Sequence, residues 1–318
     1  MQYFSNIQRQ GELNSDETEP FSNNFSNDIE DNSNKIDSKE NDEYLVSNSV
    51  GYLGGLKYSE LLKGKKNRWK VLLDEVKKLD PRNPVVKAII RTLVCGFEIP
   101  ARLVYMIKPG WEKKVYRVIN SWGKALIKIA KINLEIIGNF DIPRDKPIVF
   151  VSNHTSPYDI PVIYGTLPVL AGFVANKELA TMPVMNYWMK QAHSIFVDVK
   201  DTKSRISTLK KIVQNLNNMQ HVIIFPEGKM SPDGNLQDFQ RGGLQAAVIA
   251  NACIVPIALN GVREVLPPGD FAINPDKRVI INIGSTIFID KLDNSEKKRI
   301  DQIAYDCLSV LLENARKI

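Results

Sequence analysis

Cysteine and histidine are both scarce in this chain, with three of each in 318 residues. Cys95, Cys253 and Cys307 lie far apart, each inside an apolar segment. This spacing excludes a disulfide framework and a cysteine-based metal site, so we expect buried thiols in a reducing compartment.

The chain also lacks the long apolar runs of leader peptides and membrane spans. It opens with the polar segment Met1-Gln2-Tyr3-Phe4-Ser5, which has neither a basic cluster nor an apolar core, so no secretory signal peptide is expected. A membrane-spanning helix needs about 18 or more apolar residues in a row. The apolar stretch at 84–107 is interrupted too often by charged residues, namely Lys87, Arg91, Glu98 and Arg102.

Charge is distributed unevenly along the chain. The formal net charge is +6, but residues 1–50 contain eleven acidic and three basic residues, so the remaining 268 residues carry +14. A body this basic favours a polyanionic partner, either a membrane surface with anionic lipid or nucleic acid. No strand interleaves aromatic and basic residues as single-strand binders do, so we expect a membrane surface and no nucleic acid.

Composition divides the N-terminal part into two segments. Residues 1–48 are rich in Asn, Ser, Asp and Glu and show no hydrophobic periodicity, which predicts a disordered acidic tail. Residues 49–83 form a basic linker in which five cationic residues surround Trp69. They are Lys63, Lys65, Lys66, Arg68 and Lys70. Either a solvated charged face or a contact with a membrane surface explains this cluster.

Residues 84–135 are predicted to form amphipathic, membrane-associating helices. In the second of them, at about 112–131, apolar residues recur at helical spacing and basic residues occupy the other side. Trp111 and Trp122 would then be interfacial anchors of a helical hairpin lying on the membrane. Packing against the core of the following domain is the alternative.

From residue 136 onward, short β-rich runs alternate with helical stretches. We predict strands at 148–152, 172–175, 195–199, 222–225, 254–259 and 279–289, and helices at 201–219, 242–252 and 295–317. This alternation predicts an α/β domain over 136–318, with a largely parallel central sheet covered by helices on both faces.

His154 follows the buried strand at 148–152, and Asp159 follows five residues later beyond a Ser-Pro turn. At the carboxyl end of a strand, Asp159 would accept the Nδ1 proton of His154 and leave Nε2 as a base. A satisfied polar histidine at a strand end is the simpler alternative. No serine or cysteine nucleophile is evident beside the pair, so we expect the base to act directly on a hydroxyl of the substrate.

A second buried strand, at 222–225, also ends in polar residues: Pro226 is followed by Glu227-Gly228-Lys229-Met230-Ser231. Two parallel strands that carry polar clusters at the same edge of a sheet converge on one cleft. Glu227 and His154 are therefore expected to lie in the same site.

Three blocks in this order carry a family resemblance: Asn153-His154-x4-Asp159, Phe225-Pro226-Glu227-Gly228, and Ile254-Val255-Pro256-Ile257. Over residues 136–290 the chain resembles the glycerolipid acyltransferase family. The resemblance implies that His154 is the catalytic base, Asp159 its orienting partner and Glu227 a residue near the acceptor. It also implies substrate-binding roles for nearby residues, namely Asn153, Lys177, Gly228, Lys229, Ser231 and Arg241. An exposed loop lysine is the simpler reading of Lys177.

Two positions depart from the family pattern. Members with phosphate-bearing acceptors usually have arginine where this chain has Met230, and another where it has Val199. Arginine holds phosphate through two parallel hydrogen bonds whereas lysine offers a point charge, so Lys229, Lys200 and Arg241 are partial substitutes.

The resemblance implies an enzyme that moves a fatty acyl group from acyl-CoA or acyl-carrier protein to a lysophospholipid hydroxyl. The expected acceptor is 1-acylglycerol-3-phosphate, and another lysophospholipid or a neutral lipid alcohol is the alternative. No cofactor, metal or acyl-enzyme is implied. We expect the protein on the cytoplasmic face of the membrane, as a peripheral or monotopic protein with anionic lipid as a partner. A non-catalytic lipid-binding protein is the alternative from another functional class.

Overall fold

The computed structural model describes residues 52–53, 56–57, 84, 87–88, 91–92 and 110–318, except 139, 141–142, 144, 182–183, 199–200 and 271. The predicted acidic tail and the Lys63–Lys70 cluster lie outside the described residues. Of the first predicted amphipathic helix, Pro84, Lys87, Ala88, Arg91 and Thr92 are described, and all are helical.

Ten strands lie in the described ranges. They are β1 (Tyr52–Leu53), β2 (Leu56–Lys57), β3 (Asn133–Ile137), β4 (Ile148–Ser152), β5 (Ala171–Asn176), β6 (Ile195–Val197), β7 (His221–Ile224), β8 (Cys253–Asn260), β9 (Arg278–Ile283) and β10 (Ile287–Phe288). β1 and β2 form an antiparallel pair by themselves.

The helices of the described ranges are α1 (Trp111–Ile129), α2 (Asp159–Thr166), α3 (Met185–Gln191), α4 (Thr202–Asn217), α5 (Gln245–Ile249), α6 (Val262–Val265), α7 (Asn294–Lys298) and α8 (Ile300–Arg316). Single 3-10 turns occupy Lys177–Thr181 and Ile289–Lys291.

The other eight strands form one mixed sheet in the order β3-β9-β8-β4-β7-β5-β6, with β10 pairing to β8. All pairs are parallel except β8 with β9 and β10 with β8. The predicted largely parallel α/β sheet is therefore confirmed. β4 lies between β8 and β7, so its carboxyl end opens at the middle of the sheet.

Alternate residues of β4 face the two layers of helices. Ile148 and Phe150 pack into a cluster with residues of α1, α2 and α3, whereas Val149 and Val151 pack with α4, α5 and α8. A strand buried on both faces must be apolar throughout, which explains its uninterrupted Ile-Val-Phe-Val sequence.

Helix α1 packs closely on α2, the helix that begins with Asp159. The two backbones touch where Gly123 meets Gly165, because a Cβ added to Gly123 would lie 2.5 Å from the Gly165 nitrogen. Asn120 Nδ2 donates to the Tyr164 carbonyl at 2.9 Å, and Tyr158 Oη donates to the Leu126 carbonyl at 2.8 Å. Of the two interpretations of this helix, packing on the domain core is the one observed.

Several expectations need correction. The boundary expected at residue 136 falls inside β3, so the sheet begins at Asn133. The helix expected at 242–252 is confined to Gln245–Ile249, because Gly242 has a left-handed φ of +75°. Asp301 accepts the Gly242 and Leu244 N–H groups before the helix begins. The final helix is broken at Arg299.

The expected interfacial anchors pack against the protein. The Trp111 indole N–H donates to Gln191 Oε1 at 2.9 Å, and that of Trp122 donates to Thr92 Oγ1 at 3.1 Å. Within the described ranges, no helix combines the length and apolar character needed to cross a membrane.

Candidate active site

The neighbouring strands β4 and β7 bring His154 and Glu227 together. The strands are parallel, with Val151 opposite Ile224, so the third residue beyond each member of this pair lies at the same level. The His154 backbone N–H donates to Glu227 Oε1 at 2.7 Å. The expected convergence of the two polar clusters is therefore present.

His154 and Asp159 form the predicted hydrogen-bonded pair. Nδ1 of His154 lies 2.8 Å from Oδ2 of Asp159, whose side chain is fully buried. The same oxygen accepts the backbone N–H groups of Thr155 at 2.7 Å and Ser156 at 2.9 Å. A carboxylate at Nδ1 favours the tautomer that leaves Nε2 unprotonated, and the imidazole is 18% exposed, so Nε2 is suited to act as a base.

The turn between these residues is fixed by its own polar side chains. Ser156 Oγ donates to the Leu266 carbonyl at 2.6 Å and accepts the Tyr158 N–H at 3.0 Å. The Asp159 N–H donates to the Ser156 carbonyl at 3.1 Å, which closes the turn just as α2 begins. The Ser-Pro sequence thus returns the carboxylate to the histidine, as predicted.

The face of the imidazole stacks on Phe225. The ring centroids are 4.1 Å apart with an interplanar angle of 10°, and Phe173 stacks behind Phe225 at 5.5 Å. We did not predict either contact from the sequence. The available signal was an aromatic residue directly after a buried strand that ends at the same level as β4.

Glu227 holds backbone from two segments. Besides the His154 N–H, its carboxylate accepts the Gln237 N–H at Oε2, at 2.9 Å. Burial raises the pKa of Glu227 from its usual 4.5 to about 7, although these two hydrogen bonds act to lower it. The carboxylate therefore orients the histidine peptide. The described hydrogen bonds use both of its oxygens.

Asn153 and Ser231, expected to bind substrate, are buried and occupied by the protein itself. The Asn153 amide donates to the Leu259 carbonyl at 2.9 Å and accepts the Leu259 N–H at 2.8 Å. Ser231 Oγ donates to Asp233 and accepts the Gly234 N–H, while the Ser231 N–H donates to the His154 carbonyl at 2.7 Å. In this geometry both residues support the loop around His154.

The expected cations differ in their surroundings. Lys177, at the end of β5, forms an ion pair with Asp198 beyond β6. Lys229 and Arg241 are exposed, and no acidic partner among the described residues pairs with either. Met230 is half-buried, whereas Val199 and Lys200 lie outside the described residues.

Gly228 is required by the turn beside Glu227. Its φ is +72°, a left-handed conformation that L side chains rarely adopt, and an added Cβ would lie 3.0 Å from Gln240 Cγ. The glycine is exposed. In the described part of the chain, including this site, no three His, Cys, Asp or Glu side chains are grouped as metal ligands would be.

Comparison with known proteins matches part of this chain to a described family. Residues 133–260 match the family model described as Acyltransferase. This range includes β3 to β8 and both His154 and Asp159. This part of the chain is similar to the Acyltransferase family, and the match covers 128 of the 318 residues. Among related sequences, the chloroplastic 1-acyl-sn-glycerol-3-phosphate acyltransferase of Arabidopsis thaliana is 29% identical over 182 residues, 56% of this chain and 51% of that protein.

The 1-acyl-sn-glycerol-3-phosphate acyltransferase alpha of Homo sapiens is 33% identical to this chain over 136 residues, 42% of this chain and 47% of that protein. The chain spans about half the length of these relatives. The structure of this chain is similar to the crystal structure of the 1-acyl-sn-glycerophosphate (LPA) acyltransferase PlsC from Thermotoga maritima, with a TM-score of 0.59. The superposition covers 74% of this chain and 97% of that one, and the sequence identity is 22%. At this identity the likeness shows a shared fold.

Glu227→Gln should separate positioning from catalysis in the candidate active site. A glutamine offers one acceptor oxygen and turns its NH2 group toward the second backbone N–H, leaving a buried donor unsatisfied. We expect kcat to fall about 10–100-fold, since small displacements of a catalytic group have effects of this size. Glu264→Gln, at an exposed position on α6, is the matched control.

The pH dependence of the Glu227→Gln variant has a definite sign. Only the anionic Glu227 accepts both N–H groups, so the wild-type rate should gain a component that rises with pH through about 7 and is absent from the variant. Stability should change in the opposite direction. A raised carboxyl pKa gives a contribution that is full below about pH 4.5 and is lost as the pH rises through about 7. Identical pH–rate profiles would contradict the positioning role.

Proposed function

We propose that this protein transfers a fatty acyl group from a thioester donor to the hydroxyl of a lysophospholipid, with 1-acylglycerol-3-phosphate as the acceptor and phosphatidic acid as the product. The observation that carries the proposal is the buried Asp159 on Nδ1 of a partly exposed His154, at the carboxyl edge of the sheet. The relatives in Arabidopsis thaliana and Homo sapiens, both named 1-acyl-sn-glycerol-3-phosphate acyltransferases, support this acceptor.

The proposed chemistry is a direct transfer. Nε2 of His154 removes the proton of the acceptor hydroxyl, and the oxygen attacks the thioester carbonyl carbon. The C–S bond then breaks, and the imidazolium returns the proton to the departing thiolate. Acyl-CoA and acyl-carrier protein both supply the required thioester, and neither a metal nor a cofactor takes part.

His154→Ala should remove almost all transfer activity from a folded protein. A general base contributes about 10²–10⁴-fold in rate, so less than about 1% of the wild-type kcat should remain. Asp159→Asn should also be damaging, because the Nδ1 proton loses its carboxylate acceptor. The assay combines acyl-CoA or acyl-carrier-protein donors with a panel of lysolipids, and circular dichroism checks the fold.

His193→Asn is the control for the His154 experiment. His193 has φ +61°, which asparagine tolerates, and it lies outside the proposed site. More than a tenth of wild-type turnover in His154→Ala would reject the assignment of the base. A wild type that transfers to no lysolipid would favour a non-catalytic lipid-binding protein.

The identity of the acceptor has a second candidate. Met230 occupies a position where phosphate-binding family members usually have arginine, and Lys177 already pairs with Asp198. These observations favour an acceptor with a headgroup or an uncharged lipid alcohol. If the acceptor is 1-acylglycerol-3-phosphate, Lys229 is the first candidate to bind its phosphate, because it is the exposed cation nearest to Gly228 in sequence. Arg241 is the second candidate.

Lys229→Ala should raise KM for lysophosphatidic acid about tenfold with a smaller effect on kcat, because it removes binding shared by the ground and transition states. Met230→Arg should favour that substrate over an uncharged one, since a guanidinium adds a bidentate contact. Lys203→Ala on α4 is the control. The measurement is competition between lysophosphatidic acid and an uncharged lipid alcohol in wild type and variants. If the wild type prefers the uncharged acceptor and Lys229→Ala leaves the rates unchanged, the second candidate is favoured.

Membrane association is proposed on the exposed side of α1. Lys113, Arg117, Lys124 and Lys128 are exposed at spacings of four, seven and four residues, which places them on one helical face. No acidic side chain in the described part of the chain pairs with them. Since Trp111 and Trp122 pack inward, we propose that this basic face contacts anionic lipid at the cytoplasmic surface of the membrane.

Replacing all four residues of the α1 basic face by glutamate should weaken binding to vesicles of anionic phospholipid by on the order of a thousandfold, at roughly 1 kcal/mol per lost cation. The matched control makes four reversals on α4, which covers the opposite face of the sheet: Lys203, Arg205, Lys210 and Lys211. Equal sedimentation of both variants with the vesicles would assign attachment to another surface.

A further inference from the structure

The short helix α6 follows β8 in the chain and lies beside the loops around His154. Val262 and Val265 are fully buried, so α6 is fixed to the core. From α6, Arg263 donates Nη1 to the Ser231 carbonyl at 2.9 Å and Nη2 to the Pro232 carbonyl at 2.6 Å. A planar guanidinium that grips two successive carbonyls fixes both the position and the orientation of that segment.

Ser231 passes this restraint to the histidine. Its N–H donates to the His154 carbonyl at 2.7 Å, while the His154 N–H is held by Glu227. The two peptide groups that flank the His154 α-carbon are therefore held by the loop that Arg263 restrains. The polypeptide can turn His154 only if this loop moves.

Leu266, which follows α6 directly, contacts the turn between His154 and Asp159. The Leu266 carbonyl accepts Ser156 Oγ at 2.6 Å, and the Ser156 N–H donates to Asp159 Oδ2 at 2.9 Å. Arg263 of α6 thus contacts the loop that bonds the His154 peptide, and Leu266, the residue directly after α6, contacts the turn that bonds Asp159.

We propose that Arg263 is a positioning residue for the His154–Asp159 pair, acting through Ser231 and the His154 peptide. This inference rests on the proposed function for its kinetic consequence. We assign Arg263 an orienting role because Nη1 and Nη2 each donate to a carbonyl oxygen of the protein itself.

Arg263→Gln removes the two-carbonyl grip. We expect kcat to fall about 10–100-fold, the range for a catalytic group displaced by about 1 Å, while KM for the acceptor stays within about twofold. The loss should be the same for lysophosphatidic acid and for an uncharged acceptor. Arg263→Lys should retain an intermediate rate, since an ammonium can hold one carbonyl. If Arg263→Gln does not fold, the rate of Arg263→Lys is compared with that of the wild type instead.

The matched control is Arg278→Gln. Arg278 also makes two contacts, to the Ile318 carbonyl and to Glu135, but it lies on β9 beside the edge strand β3. Its variant should keep the wild-type kcat. An acceptor KM that rises only for lysophosphatidic acid in Arg263→Gln would instead make Arg263 a phosphate ligand and overturn the proposal.

A second measurement does not depend on turnover. The chain has three histidines, so ¹⁵N-histidine labelling gives three imidazole environments. In Arg263→Gln, the His154 ring resonances should shift or broaden while those of His193 and His221 remain in place. Unchanged His154 resonances together with an unchanged kcat would overturn the proposal. If the wild type transfers to no acceptor, the proposed function fails while these spectra still decide the role of Arg263.

Discussion

The parallel pairing of β4 with β7 determines where the rest of the site lies. Beyond the pair Val151–Ile224 the two strands no longer pair, so their backbone N–H and C=O groups need other hydrogen-bond partners. Side chains replace these partners. Glu227 accepts the His154 N–H on one side of β4, and Asn153 bonds the backbone of Leu259 on the other. Side-chain hydrogen bonds therefore continue the sheet beyond its last backbone pair and fix the conformation of the segment Asn153–His154.

This origin explains what the sequence could and could not predict. The buried strand and the local turn identified His154 and Asp159, because the partner is only five residues away. The roles of Asn153 and Ser231 depend on contacts with segments 106 and 77 residues away, and a linear pattern does not reveal whether a polar side chain meets substrate or backbone. Lys177 likewise looked like an available cation, although its ion pair with Asp198 forms only when β5 and β6 lie side by side.

Helix α1 shows the same limit in the opposite direction. Its periodicity correctly predicted an amphipathic helix, but periodicity identifies an apolar face and does not identify what covers it. The deciding feature is the close approach of Gly123 to Gly165, which involves two residues that carry no hydrophobic signal. β3 was missed for a related reason. It is an edge strand with Ile136 about half exposed, so its burial pattern is irregular.

The two carboxylates beside His154 divide their work by the part of the residue that they contact. Asp159 meets the imidazole edge at Nδ1, where positive charge would develop if Nε2 takes the hydroxyl proton as proposed. Glu227 meets the peptide, and a positive charge on His154 acts to lower the Glu227 pKa. In the proposed mechanism, proton transfer to His154 would therefore stabilise the anionic form of Glu227, which accepts both the His154 and Gln237 N–H groups. These two hydrogen bonds would then be strongest while the imidazolium exists, so the interaction would favour the transition state over the resting site.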